Sequence, residues 1–258
     1  MTGMIIGVLC SILVCWADPV AEYMKYMDLK NESTEGSEVD NKYMHWMIVN
    51  YIWKRKKNGF RYSFNAYKFI IMFVVGYAIV ELPCWLHGSG VVGIVYSLSA
   101  FCLLFLSVVD WKSQYIPLEC DLAIGICGLV RLVADQSNWL EYILGLFLVS
   151  GFLYVVNKVA TPILRRRYEE NTIEDVIGDG DMKLMAATGL LLGWKLNFIA
   201  LGLGCVIGSI IQVILMKVKE SDRQFALGPY LSLGVYITMI CGEQLVSWYL
   251  NIIGFVPM

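Results

Sequence analysis

Residues 196–216 read LNFIALGLGCVIGSIIQVILM and contain no charged side chain. An α-helix needs about 20 predominantly apolar residues to cross the hydrocarbon core of a bilayer. Residues 90–109, GVVGIVYSLSAFCLLFLSVV, form a second uncharged stretch of similar length. Both stretches therefore predict transmembrane helices.

The composition extends this prediction to the whole chain. Of the 258 residues, 58% are apolar and only 16% are charged, whereas soluble domains carry about 25% charged residues. The shortage of charge excludes a soluble enzyme and a disordered protein, and the net charge of −2 leaves no basic face for nucleic acid. The eight cysteines show no C-x-x-C spacing, so neither a zinc knuckle nor a redox pair is indicated. We predict an all-α, polytopic membrane protein.

Eight apolar stretches are candidate spans, so the bundle is expected to have about eight transmembrane helices. They are residues 3–17, 66–86, 90–109, 117–134, 139–158, 183–194, 196–216 and 226–250. The first is short, and 183–194 crosses only if Gly193 and Trp194 lie at the far interface. A cleaved signal peptide is the alternative for 3–17, but that stretch lacks a basic start and an A-x-A site.

The basic residues are distributed unevenly among the loops. All lysines and arginines except Arg131 and Lys195 lie in alternate loops or at their edges. Cytoplasmic loops carry an excess of lysine and arginine. We therefore predict that both termini lie outside and that loops 18–65, 110–116, 159–182 and 217–225 lie in the cytoplasm.

Residues 18–65 form the one sizeable polar segment of the chain. Its stretch Asn31–Glu38 is typical of a flexible loop. The basic cluster Lys54–Lys57 predicts contact with anionic lipid headgroups, and a partner site is the alternative.

Two aspartates at predicted helix ends are the candidates for chemistry. Asp110 follows the third span in VVDWKSQYIP (108–117), and Asp181 precedes the sixth in GDGDMKL (178–184). The predicted topology puts both at the cytoplasmic ends of helices, where they can face one another. Two carboxyl groups that share a site do not both ionise cheaply, so one keeps a proton. The charged group then takes a proton from water and the neutral group hydrogen-bonds the scissile carbonyl, as in aspartic proteases.

The alternative interpretation for each aspartate is a solvated acidic residue at a helix end, where Asp181 would favour the helix N-terminus. The glycines Gly178 and Gly180 favour the catalytic interpretation, because glycine permits close approach of another backbone.

Three motifs resemble those of the type IV prepilin peptidases, a family of membrane aspartic proteases with a GxGD motif. One is GDGDMKLMAA (178–187), which continues to Gly189 and Gly193-Trp194. Another is Asp110 with the basic and polar residues that lead to Ile116-Pro117. The third is FALGPYLSLG (225–234), which is similar to the Gly-Pro segment of the family.

The resemblance implies a GxGD aspartic protease bundle in the bacterial inner membrane, with its active site facing the cytoplasm. It implies that Asp110 and Asp181 are the catalytic pair, and that the other site residues shape loops or contact substrate. These are Gly178, Gly180, Lys183, Pro117, Gly228 and Pro229. Residues 1–62 would hold the first transmembrane helix and a cytoplasmic segment, and 63–258 the membrane-embedded peptidase core.

The implied substrates are type IV prepilins or pseudopilins, cleaved before their hydrophobic stretch to release a basic leader. Besides the lipid bilayer, components of a type IV pilus or type II secretion assembly are the expected partners. The resemblance implies neither a cofactor nor a nucleic-acid partner. For Lys183, a lysine that extends to solvent from a helix end is the alternative.

The chain departs from the family pattern at three points. Many members carry two C-x-x-C pairs in a zinc-binding part associated with N-methylation, whereas residues 18–65 contain no cysteine. We therefore expect no zinc, and methyltransferase activity is not indicated. Ser63 stands where the family has proline, and Leu118 follows Ile116-Pro117 where the family has Asn or Asp. Glu119 and Asp121 are then solvated helix-start acids or assist at the site.

Two other functions compete with this one. Another GxGD intramembrane protease, presenilin-like or signal-peptide-peptidase-like, would have a Tyr-Asp pair in mid-span and a late Pro-Ala-Leu motif. Here Val109 precedes Asp110 and the late motif is Gly-Pro-Tyr. A transporter with a cation-binding acidic pair would need polar residues along its spans, and 90–109 and 196–216 offer little beyond Ser97, Ser99 and Ser209.

Overall fold

The computed structural model describes residues 2–32, 48, 51–52, 62, 65–168, 176–218 and 226–253. Every regular element in these ranges is a helix. In chain order these are α1 (Thr2–Val14), α2 (Ala17–Glu32), α3 (Ala66–His87), α4 (Val91–Ser113), α5 (Leu118–Ala134), α6 (Trp139–Tyr168), α7 (Asp179–Leu192), α8 (Trp194–Val218) and α9 (Gly228–Ile253), with a 3₁₀ turn at Gln136–Asn138. The cluster Lys54–Lys57, Ser63 and most of Asn31–Glu38 lie outside the described residues.

Within the described residues, five helical stretches are long and apolar enough to cross a membrane, which confirms the prediction of an all-α polytopic membrane protein. They are Gly3–Met27, Ala66–His87, Val91–Ser113, Gln136–Arg166 and Trp194–Lys217. The first combines α1 with the start of α2, so the crossing is longer than the predicted 3–17. Helix α7 has 14 residues and is therefore only about 21 Å long, less than the thickness of a hydrocarbon core.

The chain divides into two compact units. One comprises Met1–Cys127 with Glu220–Pro229, and the other comprises Gly128–Lys219 with Tyr230–Met258. In the first unit, α1 packs on α3 and α4, α3 packs on α4, and α2 packs on α4. In the second unit, α6, α7 and α8 pack on one another. The predicted division after residue 62 stays a prediction.

Helix α4 is the most enclosed of the long apolar helices. In its most apolar window 56% of residues are buried, against 22% in α3 and in α8. A helix that is apolar all round but largely buried belongs to the interior of a bundle. The exposed apolar side chains of α3 and α8 are suited to contact lipid; among them are Ile70, Val74, Val206, Ile210 and Val213.

Glycines allow α6 and α7 to approach closely within the second unit. A Cβ atom at Gly189 would collide with the carbonyl oxygen of Gly145, and a Cβ atom at Gly145 would collide with that of Gly189. Small residues at helix contacts let backbones approach in membrane proteins, where packing drives association. This contact supports the helix that carries Asp181.

Candidate active site

Asp110 lies in the last turn of α4 and is 4% exposed. The helix ends at Gln114, which adopts the left-handed conformation (φ 55°, ψ 27°). Its N–H donates a hydrogen bond of 2.8 Å to the carbonyl oxygen of Asp110. A left-handed residue that closes the final turn in this way fixes where a helix stops. The backbone of Asp110 is thus held at a defined helix end.

Pro117 starts the next helix, α5. Its carbonyl oxygen accepts hydrogen bonds from the N–H groups of Cys120 (3.1 Å) and Asp121 (3.4 Å). Proline suits the start of a helix because the N–H that it lacks would have no partner inside the helix. Pro117 is buried, and its observed contribution is to begin α5 a few residues after Asp110.

Gly228 lies against the carboxyl group of Asp110. An ideal Cβ atom at position 228 would stand 2.6 Å from Oδ2 of Asp110 and 3.1 Å from its Cγ. No side chain therefore fits at this position unless the carboxyl group moves. Oδ2 is buried and has no hydrogen-bond partner among the described residues, although buried polar atoms almost always have one. The backbone N–H of Gly228 is directed toward the same carboxyl group, and beyond this weak interaction Asp110 presents an oxygen to a further group.

Pro229 follows Gly228 in the first turn of α9 and is half-buried. Its fixed φ and missing N–H suit this position. The Gly-Pro pair therefore combines a residue without a side chain, next to Asp110, with a residue that begins a helix.

Asp181 lies in the first turn of α7 and is 9% exposed. Gly178 precedes the helix in an extended conformation (φ −64°, ψ 141°). Its carbonyl oxygen accepts hydrogen bonds from the N–H groups of Asp181 (3.1 Å) and Met182 (3.4 Å). A Cβ atom at Gly178 would lie 3.4 Å from Oδ2 of Asp181. The carboxyl group therefore folds back toward the start of its helix, where a negative charge is favourable.

Two neighbours of Asp181 complete the sequence motif. Gly180 is half-buried within the first turn of α7. Lys183 is exposed. Its exposure agrees with the alternative interpretation, in which this lysine extends from the helix end into solvent. Asp179, the other acid of the turn, is exposed as well. In the first turn of α7 only Asp181 is a buried carboxyl group.

The predicted site residues fall into two groups. Asp110, Pro117, Gly228 and Pro229 belong to the first unit, where Gly228 contacts the Asp110 carboxyl group. Gly178, Gly180, Asp181 and Lys183 belong to the second unit, within one helix start. That Asp110 and Asp181 work as a pair stays a prediction.

Sequence reasoning missed an ionic cluster two residues after Asp110. The Lys112 Nζ atom lies 2.5 Å from Oδ1 of Asp18 and 2.6 Å from Oε1 of Glu22. The Tyr62 hydroxyl group donates a 2.5 Å hydrogen bond to Oδ2 of Asp18. Asp18 is 6% exposed, so its charge is compensated by these partners. The cluster ties the end of α4 to α2.

The pKa of Tyr62 depends on this cluster. Burial, followed by the hydrogen bond to Asp18, raises the pKa of Tyr62 well above its ordinary value, because both disfavour the phenolate. The available signal in the sequence was the i, i+4 spacing of Asp18 and Glu22, which places both acids on one face of a helix. Nothing local indicates that their partner is Lys112.

Among the described ranges, no group of three or more His, Cys, Asp or Glu side chains is arranged to hold a metal ion. The eight cysteines are free thiols, and six of them are buried.

Comparison with known proteins addresses the central part of the chain. The sequence profile described as the type IV leader peptidase family matches residues 96–213. This segment contains both Asp110 and Asp181 together with the glycines around the latter.

Curated relatives extend the match. A prepilin leader peptidase/N-methyltransferase of Pseudomonas putida is 28% identical over 197 residues, covering 70% of this chain and 64% of the relative. The protein of the same name from Legionella pneumophila is 25% identical, covering 65% of this chain and 56% of the relative. The one from Aeromonas hydrophila is 35% identical, covering 60% of this chain and 51% of the relative.

These alignments cover between 51% and 64% of the relatives' own lengths, so this chain corresponds to only part of them. No solved structure gave a match. The matched segment contains the motifs around Asp110 and Asp181, and residues 96–213 are therefore similar to the type IV leader peptidase family.

Proposed function

We propose that this protein is a membrane aspartic endopeptidase that removes the basic leader from type IV prepilins or pseudopilins at the cytoplasmic face of the inner membrane. The observation that carries the proposal is the environment of Asp110: a buried carboxyl group whose Oδ2 atom has no partner among the described residues and adjoins a glycine. The match of residues 96–213 to the type IV leader peptidase family supports the same activity.

In the proposed reaction Asp110 and Asp181 share one proton. The ionised carboxyl group takes a proton from a water molecule, and the water oxygen forms a bond to the scissile carbonyl carbon. The protonated carboxyl group donates its proton to the carbonyl oxygen, which neutralises the developing charge. Return of a proton to the leaving nitrogen then breaks the carbon–nitrogen bond and frees the leader.

The proposed activity is limited to cleavage. The relatives carry N-methyltransferase in their names, but residues 18–65 of this chain contain no cysteine that could bind zinc. Further partners would be components of a type IV pilus or type II secretion assembly.

The test is co-expression with a panel of type IV prepilins and pseudopilins, with the new N-terminus determined by mass spectrometry. We expect Asp110→Asn and Asp181→Asn each to lower the cleavage rate by about 10²–10⁴-fold, because each removes a group that transfers a proton. The matched control is Asp179→Asn, which neutralises the exposed acid of the same helix turn and should cleave at the wild-type rate.

The same assay run across pH should give a rate that rises to a maximum and then falls, because only the form with one shared proton is active. Near wild-type cleavage by either aspartate variant would reject the pair. A methyl group on the new N-terminus of the product would reject the restriction to cleavage.

A further inference from the structure

Asn157 is a buried polar residue in the second half of α6, only 2% exposed. Asparagine is a poor helix former, and a buried amide group requires hydrogen-bond partners. Its Oδ1 atom accepts hydrogen bonds from the backbone N–H groups of Val176 (3.0 Å) and Ile177 (3.1 Å). A side chain of α6 thus holds two consecutive amide groups of the segment that leads into α7.

Thr161 reinforces this arrangement from one helical turn further along α6, and it is 6% exposed. Its hydroxyl group donates a 3.1 Å hydrogen bond to Oδ1 of Asn157. The same hydroxyl oxygen accepts a longer hydrogen bond of 3.3 Å from the N–H of Val176. Residues four apart lie on one helix face, so Asn157 and Thr161 form a single polar site. This site fixes both the amide oxygen and the segment that it binds.

The segment held by Asn157 continues directly into the start of α7. Ile177 is followed by Gly178, whose carbonyl oxygen accepts the hydrogen bond from the Asp181 N–H. The first turn of a helix depends on such contacts, since its N–H groups have no partners inside the helix. Any displacement of residues 176–177 therefore moves Gly178 and, with it, the turn that carries the Asp181 carboxyl group.

We infer that Asn157, assisted by Thr161, is a positioning residue that sets the orientation of Asp181. This inference rests on the proposed function, because it assigns Asn157 a role in the reaction of Asp181. Asn157 acts through the backbone of residues 176–178, so its removal lowers the rate of the chemical step more than it weakens substrate binding. A small misplacement of a reacting group caused by a mutation at a distance can cost about 100-fold in rate.

The test uses the full-length protein in lipid nanodiscs. Asn157→Ala removes the oxygen that accepts the two hydrogen bonds from Val176 and Ile177. Asn157→Asp keeps an oxygen in the same place, so both hydrogen bonds should remain. Thr161→Val removes the hydroxyl group at constant shape, and Thr161→Ser restores it. The control is Ser150→Ala on the same helix, because among the described residues the Ser150 hydroxyl group donates to carbonyl oxygens of its own helix.

Two readouts are required. Hydrogen exchange of the Val176 and Ile177 amides, followed by mass spectrometry, should become about tenfold faster in Asn157→Ala. In the cleavage assay, kcat of the same variant should fall by about 100-fold while KM changes by less than about threefold. Thr161→Val should show smaller changes in the same direction. Asn157→Asp, Thr161→Ser and Ser150→Ala should match the wild type in both measurements.

The two readouts separate this inference from the proposed function. Faster amide exchange in Asn157→Ala, in a protein whose wild type cleaves no prepilin, would reject the peptidase and retain the contact. Unchanged exchange and unchanged kcat in Asn157→Ala would overturn the inference. Equal loss of kcat in Asn157→Ala and Asn157→Asp would also overturn the inference. If Asn157 positions Asp181 through its hydrogen bonds, a variant that keeps the acceptor oxygen should keep the activity, whereas a residue that only fills space would not be rescued in this way.

Discussion

At the scale of single residues, Gly228 restricts the position of the Asp110 carboxyl group. Its ideal Cβ atom would lie 2.6 Å from Oδ2 of Asp110 and 3.2 Å from Cδ1 of Ile116. A methyl group at position 228 therefore forces either the buried carboxyl group of Asp110 or the side chain of Ile116 to move. Of the two side chains, that of Asp110 moves more easily than that of Ile116, because its carboxyl group needs to rotate only about the Cβ–Cγ bond.

We therefore predict that Gly228→Ala lowers kcat for prepilin cleavage by about 100-fold, because it turns the Asp110 carboxyl group away from its working orientation. Measuring kcat together with the thermal unfolding midpoint separates this effect from misfolding. The control is Gly202→Ala, since a Cβ atom at Gly202 would meet nothing within 4 Å. Full activity of Gly228→Ala would mean that the orientation of Asp110 does not matter.

The sequence indicated some of these residues and not others, for a physical reason. Asp110, Asp181 and Gly228 lie in motifs that are recognisable locally. Asn157 and Lys112 carry no such signal, because their partners are distant in the chain and become neighbours only after folding. Asn157 contacts residues 176–177, and Lys112 contacts Asp18 and Glu22. A single sequence without known contacts offers no way to pair them.

At the scale of helices, the contact between Gly145 and Gly189 determines how closely α6 and α7 pack. We predict that Gly189→Ala destabilises the protein by about 1–3 kcal/mol, the usual cost of inserting a methyl group into a well-packed interior. The measurement is the midpoint of unfolding in a graded detergent mixture.

Gly151→Ala is the matched control for this prediction. It lies on α6, and its Cβ atom would meet nothing within 4 Å. Because alanine favours helix over glycine, the control should unfold at the same point or later than the wild type. If Gly189→Ala were as stable as the wild type, α6 and α7 would be able to move apart without a loss of stability, and the prediction would be wrong.

The helix boundaries differ from the apolar stretches that predicted them. Helix α6 continues to Tyr168, beyond the predicted 158, and α7 begins at Asp179 rather than 183. Apolarity marks where a side chain suits lipid, whereas a helix ends where backbone hydrogen bonds and capping residues end it. Arg165 and Arg166 remain helical because arginine is a good helix former. An apolar pattern therefore cannot predict the charged end of α6 or the charged start of α7.

At the scale of the whole molecule, hydropathy predicted the architecture well because the bilayer imposes one strong constraint. Every backbone polar group within it must be paired internally, so a spanning segment must be a helix or part of a closed barrel. The five long apolar stretches among the described residues lie where spans were predicted, whereas the predicted spans 117–134, 183–194 and 226–250 are not among them. What hydropathy could not supply is the division into two units, which depends on contacts between specific faces.

The orientation across the membrane that the basic residues predict can be tested with two equivalent substitutions. Gln114 and Gln136 are both exposed and lie at successive helix ends, in loops that the positive-inside rule assigns to opposite sides. We expect a membrane-impermeant maleimide to label Gln136→Cys in right-side-out vesicles and Gln114→Cys only in inverted ones, with labelled peptides identified by mass spectrometry.

The wild-type protein, with its eight free thiols, gives the background labelling for this comparison. Both substitutions replace glutamine by cysteine, so any difference in labelling reports the side of the membrane and not the chemistry of the residue. Labelling of Gln114→Cys in right-side-out vesicles would place the end of α4, and Asp110 with it, on the outer face. Leaders that are cut on the cytoplasmic side would then be out of reach, and the peptidase proposal would fail together with the orientation.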